Sequence, residues 1–375
     1  MIHQWRDRQS CCYRRFTSTD AKAVFREWQR DPSLMDDAVG ILLRAPATAL
    51  RDLGPEPLWR LVRLSLYKHP SSSTDDALKL LYRVSVDYHL PLDWLVALLP
   101  RVSVDGTAQV AIWGLIHRSL MVTTTGTGGI PKGALGELAR PLFLEEIGLG
   151  DGTREDRDLM DHLVAVLLLD GSANIVLDEM ADHPFVLGSV CRLVKRKQGV
   201  YEDVLASHLL LGEAVARLFQ SSALSYECCI FHVFTAFDVL FERHRRLVDT
   251  VLGDVVSVGN LMSWILLHCD HEGIRKAGMV MMYHVLRSTQ GPHFLLCDYF
   301  DATLTLLLWG CIRETSEVLF GLSMLHRLVR LGDVYRQLLQ DRRVVDCLFH
   351  LVESRDPTVK AKAEQVLRQT VAFGA

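Results

Sequence analysis

No apolar run in this 375-residue chain reaches the roughly 20 residues that a membrane-spanning helix needs. The best stretch, Ala302–Ile312, is too short and carries Thr and Gly. The N-terminus lacks the apolar core of a secretory signal. No Cys-x-x-Cys pair occurs, and the nine cysteines are scattered, with doublets at Cys11-Cys12 and Cys228-Cys229. Adjacent cysteines rarely bridge each other. The odd total fits a reduced intracellular protein with thiols buried as small hydrophobes. Excess charge of one sign is lacking too. A net charge of −4 exerts no global pull towards nucleic acid or acidic membranes. Lysine is scarce: of 41 basic residues only nine are Lys, a bias that matches the codon usage of a GC-rich genome. No series of alternating segments joined by Asn-Gly or Asp-Gly turns is found, which argues against a β domain.

What is present is helical periodicity almost everywhere. Leu58, Leu61, Val62, Ser65 and Leu66 follow it, with Arg60 and Arg63 on the other side. Leu322, Leu325, Leu328 and Val329 do the same, with His326, Arg327 and Arg330 opposite. Prolines fall at junctions, where each ends one helix or opens the next. The C-terminal segment is the clearest. Ser354-Arg355-Asp356-Pro357 reads as a capped turn, and Val359, Ala363, Val366, Leu367 and Thr370 build an amphipathic helix after it. Similar units pass through Ile274, Ala277, Gly278, Met281 and Leu286, and through Val318, Leu319, Leu322 and Leu325. Turns predicted at Ser225, Glu272, Thr315 and Pro357 lie about 42–47 residues apart.

A short helix, an Asp-Pro turn and a long helix with a small residue near its start resemble an armadillo or HEAT repeat. The resemblance implies an all-α fold, a right-handed α-α superhelix in which stacked hairpins bury one another's apolar faces. The expected organisation is a basic N-terminal tail over 1–19, helical repeats over 20–121, a Gly/Thr-rich loop over 122–133, and a continuous solenoid over 134–375. Importin-type armadillo proteins grip peptide backbones with Trp–Asn rungs. Here only Asn174 and Asn260 occur, and Trp264 and Trp309 lack a paired Asn, so that code is missing.

Several constellations invite chemical readings. Gly126, Gly128, Gly129 and Lys132 suggest a phosphate cradle, but no strand precedes them and the Walker spacing is missing, so they read as a linker. His268-Cys269-Asp270-His271, with His284 downstream, has metal-ligand side chains. A repeat turn is expected there, which places the cysteine in the core and the histidines near a helix end. No Gly-x-Ser-x-Gly occurs, and no cysteine lies in a recognisable catalytic frame. The reading is therefore non-enzymatic, with no metal and no cofactor.

Charge is unevenly placed. Between Ala134 and Val190, twelve acidic residues face three arginines, a net −9. Glu155, Asp156, Asp158 and Asp161 are expected on a solvent-facing helix start, where acids suit the helix dipole. Arg192, Lys195, Arg196 and Lys197 follow closely as a short basic stretch. These eight are the candidate partner-binding residues. The expected function is a protein-interaction scaffold or adaptor whose partners include basic protein segments. The alternatives are a nucleic-acid-associated repeat protein, mitochondrial and RNA-related, and an enzyme on a helical-repeat scaffold. The −9 stretch and the missing 35-residue period count against nucleic acid. Location is expected to be cytoplasmic. The basic segment with Arg6, Arg8, Arg14 and Arg15 loosely resembles a mitochondrial presequence and supplies the alternative; Asp7 counts against it.

Overall fold

The computed structural model describes residues 16–51, 72–85, 90–102, 106–122, 130–149, 153–196, 199–207, 227–251, 255–268, 270–288, 299–312 and 315–371, and the single positions 56, 57, 60, 63, 211, 214 and 217. Among the described residues there are helices and no strand. None of those helices is long and apolar enough to cross a membrane. The chain divides into two units, Met1–Ala173 and Asn174–Ala375. Residues 1–15 of the expected tail over 1–19, residues 123–129 of the expected loop over 122–133, the turn at Ser225 and Leu58, Leu61 and Leu66 lie outside the described residues; Ser18 already opens a helix and Val122 still closes one.

The first unit contains α1 (Ser18–Arg30), α2 (Met35–Arg44), α3 (Ala47–Arg51), α4 (Ser72–Val84), α5 (Leu92–Leu98), α6 (Gly106–Val122), α7 (Ala134–Leu149) and α8 (Arg154–Asp170). Its packing runs α2 on α4, α4 on α6 and α6 on α8, with α7 also against α8. Helix α1 starts at a reciprocal cap, in which Thr17 Oγ accepts from the Asp20 amide and the Asp20 carboxylate accepts from Thr17. Helix α8 is the centre of this unit. From Leu159 to Leu168 every side chain is buried. A helix covered on all sides needs a nearly continuous apolar run, and Leu163–Leu168 supplies one. It ends at Gly171, whose φ of +90° is a left-handed conformation that side chains resist.

The second unit contains α9 (Ala173–Met180, its first residue on the boundary), α10 (Pro184–Lys195), α11 (Val200–Ser207), α12 (Glu227–Arg243), α13 (Arg246–Val251), α14 (Val255–Leu267), α15 (Glu272–Arg287), α16 (Phe300–Ile312), α17 (Thr315–Val329), α18 (Asp333–Leu339), α19 (Arg342–Val352) and α20 (Pro357–Val371). Helices α10, α12, α15, α17 and α20 pack side by side in that order. They begin at residues 184, 227, 272, 315 and 357, at intervals of 42–45. A second row, α14, α16 and α19, packs in the same way and lies against the first.

Turn chemistry sets this spacing. Asp356 Oδ1 accepts from the amides of Thr358 (2.8 Å) and Val359 (3.3 Å), and Pro357 opens α20 at the position where an N–H has no helical partner. His271 Nδ1 accepts from the Ile274 amide (3.3 Å) at the start of α15. Inside, Val359, Ala363, Val366 and Thr370 of α20 are buried, as are Leu322, Leu325 and Leu328 of α17. Helices α16 and α17 approach so closely that a Cβ added at Gly321 would sit 2.8 Å from the Gly310 carbonyl carbon. Only glycine fits this crossing.

Candidate functional site

The five-helix row of the second unit exposes one stripe from each helix, at positions three or four apart. Polar side chains on these stripes meet their neighbours as rungs. From α10 to α12, the Lys195 ammonium donates to His232 Nδ1 at 2.8 Å. From α15 to α12, Arg287 donates to Glu242 at 3.3 Å, and beneath the stripe the buried His284 places its Nε2 2.8 Å from Asp238. From α17 to α15, the Arg327 guanidinium stands 5.6 Å from the centroid of the Tyr283 ring, with Arg287 at 5.0 Å from the same ring. From α20 to α17, Lys362 Nζ donates to Ser323 Oγ at 2.5 Å, and His326 lies 2.9 Å from Gln369. Beneath the stripes, Arg275 of α15 and Glu317 of α17 form a two-point pair, each only 3% exposed.

This row is basic although the chain is acidic. Its five helices carry ten Lys and Arg against six Asp and Glu. The basic stretch read from the sequence contributes its first end. Arg192 donates to Ser189 Oγ at 2.8 Å, Lys195 forms the first rung and also lies 5.6 Å from the Phe231 ring centroid, and Arg196 is exposed. Lys197 lies outside the described residues. Burial lowers the pKa of Lys195. The pKa of His232 is lowered by burial and further by Lys195 and Arg192, which keeps the imidazole a neutral acceptor.

The acidic stretch belongs to the first unit, and the structure divides it. Glu155 and Asp158 are exposed at the start of α8, where carboxylates suit the helix dipole. Asp156 is half-buried and closes a capping box with Thr153: its carboxylate accepts from the Thr153 amide at 2.5 Å. The expectation fails for Asp161, which is 3% exposed. One turn inside α8, the helix is already enclosed by its neighbours. Close by, burial raises the pKa of Glu146, helped by Asp156 and Glu145.

The remaining motifs have local partners. The amides that open α7 are taken by the protein's own anion, since Asp170 accepts from the Gly136 amide at 2.8 Å. Burial outweighs the amide contacts there and holds the Asp170 carboxyl above its ordinary value. His271 caps α15 and His268 follows the end of α14, while Cys269 lies outside the described residues. No group of three or more potential metal ligands comes together among the described residues.

Sequence reading missed two features. In the first unit, Tyr82 Oη lies 3.1 Å from His162 Nε2, and His162 Nδ1 lies 3.1 Å from His117 Nδ1. Arg118 stacks on Tyr82, 4.1 Å from its centroid, and donates to Ser85 Oγ at 2.8 Å. These residues are 36–80 positions apart in most pairings, so no local motif announces them. In the second unit, Arg243-His244-Arg245-Arg246 forms a basic corner between α12 and α13. That run is visible in the sequence as a cluster of four.

Comparison with known proteins gives a likeness of fold alone. No family model matches the chain, and no curated protein does. Among solved structures, the crystal structure of an engineered protein is similar over 99% of this chain and 90% of its own, with a TM-score of 0.53 and 12% identity.

Proposed function

We propose that this chain is a protein-binding scaffold of armadillo or HEAT type, in which the five-helix row of the second unit is the docking surface. The observation that carries this reading is the series of rungs joining α10, α12, α15, α17 and α20 at intervals of 42–45 residues. Stacked units of this length bury their cores against one another and leave a long polar stripe to bind with. Lys195, Arg287, Arg327 and Lys362, interleaved with Phe231 and Tyr283, suit an extended acidic segment. Cations steer such a segment and aromatic faces add contact area. Glu155 and Asp158 offer a second, acidic face for basic segments; Asp161 is excluded by burial.

Affinity purification of the full chain with mass spectrometry tests this. The variant Lys195→Glu/Arg327→Glu reverses two rung charges, one half-buried and one exposed, and should lose at least one partner that wild type retains, with the larger loss at low salt. An identical partner set from wild type and a correctly folded variant would overturn the docking role of this row.

A further inference from the structure

Two hollows adjoin at the corner where α12 turns into α13. The smaller, about 130 Å³, is lined by Phe241, Arg245, Arg246, Asp249, His284 and Arg287, among others. The larger, about 520 Å³ and open to solvent, is lined by Arg243, His244 and Thr250 and shares Arg245 and Arg246 with the first.

The cations at this corner differ in their engagements. Arg243 lies 3.5 Å from the fully buried Glu202, His244 lies 3.1 Å from Asp203, and Arg287 donates to Glu242. Arg245 and Arg246 are exposed, and neither guanidinium meets an acceptor among the described residues. Both line both hollows. Arg243 and Arg287 are each matched by a glutamate, so Arg245 and Arg246 are the unmatched cations of this corner, opposed in the smaller hollow by Asp249.

We infer that this corner is a binding site for a phosphomonoester carried on a protein chain, with the phosphoryl group in the smaller hollow and the flanking peptide across the larger one. Three considerations select that ligand. First, a phosphoryl group carries about −1.5 to −2 at neutral pH, which matches two free guanidinia better than a single carboxylate does. Second, guanidinium forks meet phosphate oxygens two at a time, the geometry that Arg clusters use for phosphorylated segments. Third, the smaller hollow is well below the roughly 300–1,000 Å³ of sites that engulf a whole small ligand. It suits one group of a longer molecule, and the open hollow beside it suits the rest. The inference rests on the reading that the partners are proteins; His284 and Arg287 line the smaller hollow and also join α15 to α12 in the row, whereas Arg245 and Arg246, the arginines varied in the test, belong to no rung.

The test uses the full chain and fluorescently labelled nonapeptide mixtures with a central phosphoserine, the same mixtures unphosphorylated, and inorganic phosphate as competitor, read by fluorescence anisotropy. The phosphorylated mixture should bind roughly tenfold tighter than the unphosphorylated one. Arg245→Glu/Arg246→Glu should remove that difference. Arg245→Lys/Arg246→Lys keeps the charge without the fork and should retain only part of it. Asp249→Asn should strengthen phosphopeptide binding a few-fold. The Lys195→Glu/Arg327→Glu variant should leave the phosphate preference in place, which separates this site from the docking row. Equal binding of both mixtures would overturn the inference. So would a preference unchanged in the Lys or Glu double variant, or inorganic phosphate binding as tightly as the phosphopeptide.

Discussion

The two units join their helices by different means. In the first, the successive neighbours α2, α4, α6 and α8 begin at residues 35, 72, 106 and 154, an uneven series. Tyr82, His117 and His162 link three of them through side chains in or near the core. In the second, the neighbours begin 42–45 residues apart and are joined along an accessible stripe by short polar rungs. An interior hydrogen-bond chain fixes one particular arrangement, because each member strands the others if it is lost. A surface rung carries less stability, and its side chains stay available to something else. The regular unit is therefore the one whose surface can change without changing its core.

The exception inside the regular unit gives the largest expected effect. Arg275→Met leaves the Glu317 carboxylate buried without its counter-ion and should cost about 3–5 kcal/mol. The double variant Arg275→Met/Glu317→Leu should recover most of that loss. Segment-resolved hydrogen exchange should place the single variant's loosening in α15 and α17. If exchange rises equally in both units, they unfold together and the contrast between them fails.

Next is the buried chain of the first unit. His162→Phe keeps the ring and removes both nitrogens, stranding Tyr82 Oη and His117 Nδ1, at a cost of about 2 kcal/mol. Urea unfolding followed by circular dichroism measures it. A loss as small as that of a surface substitution would show that the chain does not hold α4, α6 and α8 together.

The acidic helix start then separates two carboxylates that look alike in sequence. Asp156→Lys breaks the capping box and should cost about 1 kcal/mol, whereas Asp158→Lys should stay within about 0.5 kcal/mol. Equal thermal shifts for the two would remove the distinction.

The smallest effect is one of pH. Burial holds Glu146 above its ordinary value of 4.5, so folding favours the protonated acid. Stability is then lost as pH rises from that value through the raised one. Glu146→Gln should melt higher than wild type at pH 7, and the difference should shrink towards zero as pH falls below about 4.5. A variant that melts lower at pH 7 would mean that the carboxylate is stabilising.

Legibility from sequence followed locality. Asp356-Pro357 and the 43-residue and 42-residue steps after Glu272 could be read because a cap and a repeat interval are written within a few consecutive residues. Asp161 departs from the expected exposed face because the acids that open α8 give way within one turn to an enclosed helix. The apolar run Leu163–Leu168 was the available signal that the helix is enclosed. The tyrosine–histidine chain could not be read at all, since its members meet only after α4, α6 and α8 are packed. Arg245 and Arg246 were legible as residues but not as a site, because their lack of partners depends on where Glu202, Asp203 and Glu242 point.

The crossing at Gly310 and Gly321 bears on how such a chain can diversify. A methyl group at Gly321 meets the backbone of the facing helix, the Gly310 carbonyl carbon at 2.8 Å, whereas one at Gly310 meets the end of the Met279 side chain of α15, with Sδ at 2.8 Å. The backbone contact closes Gly321 to substitution, and no side-chain change at position 310 relieves it, whereas a methyl group at Gly310 requires only a shift of the Met279 side chain. Variation in this hairpin is diverted to the outward stripe, where Ser323, His326 and Arg327 sit within two turns of Gly321. The close crossing thus channels mutational drift in this hairpin onto its outward side chains, where surface chemistry can change at constant hairpin geometry.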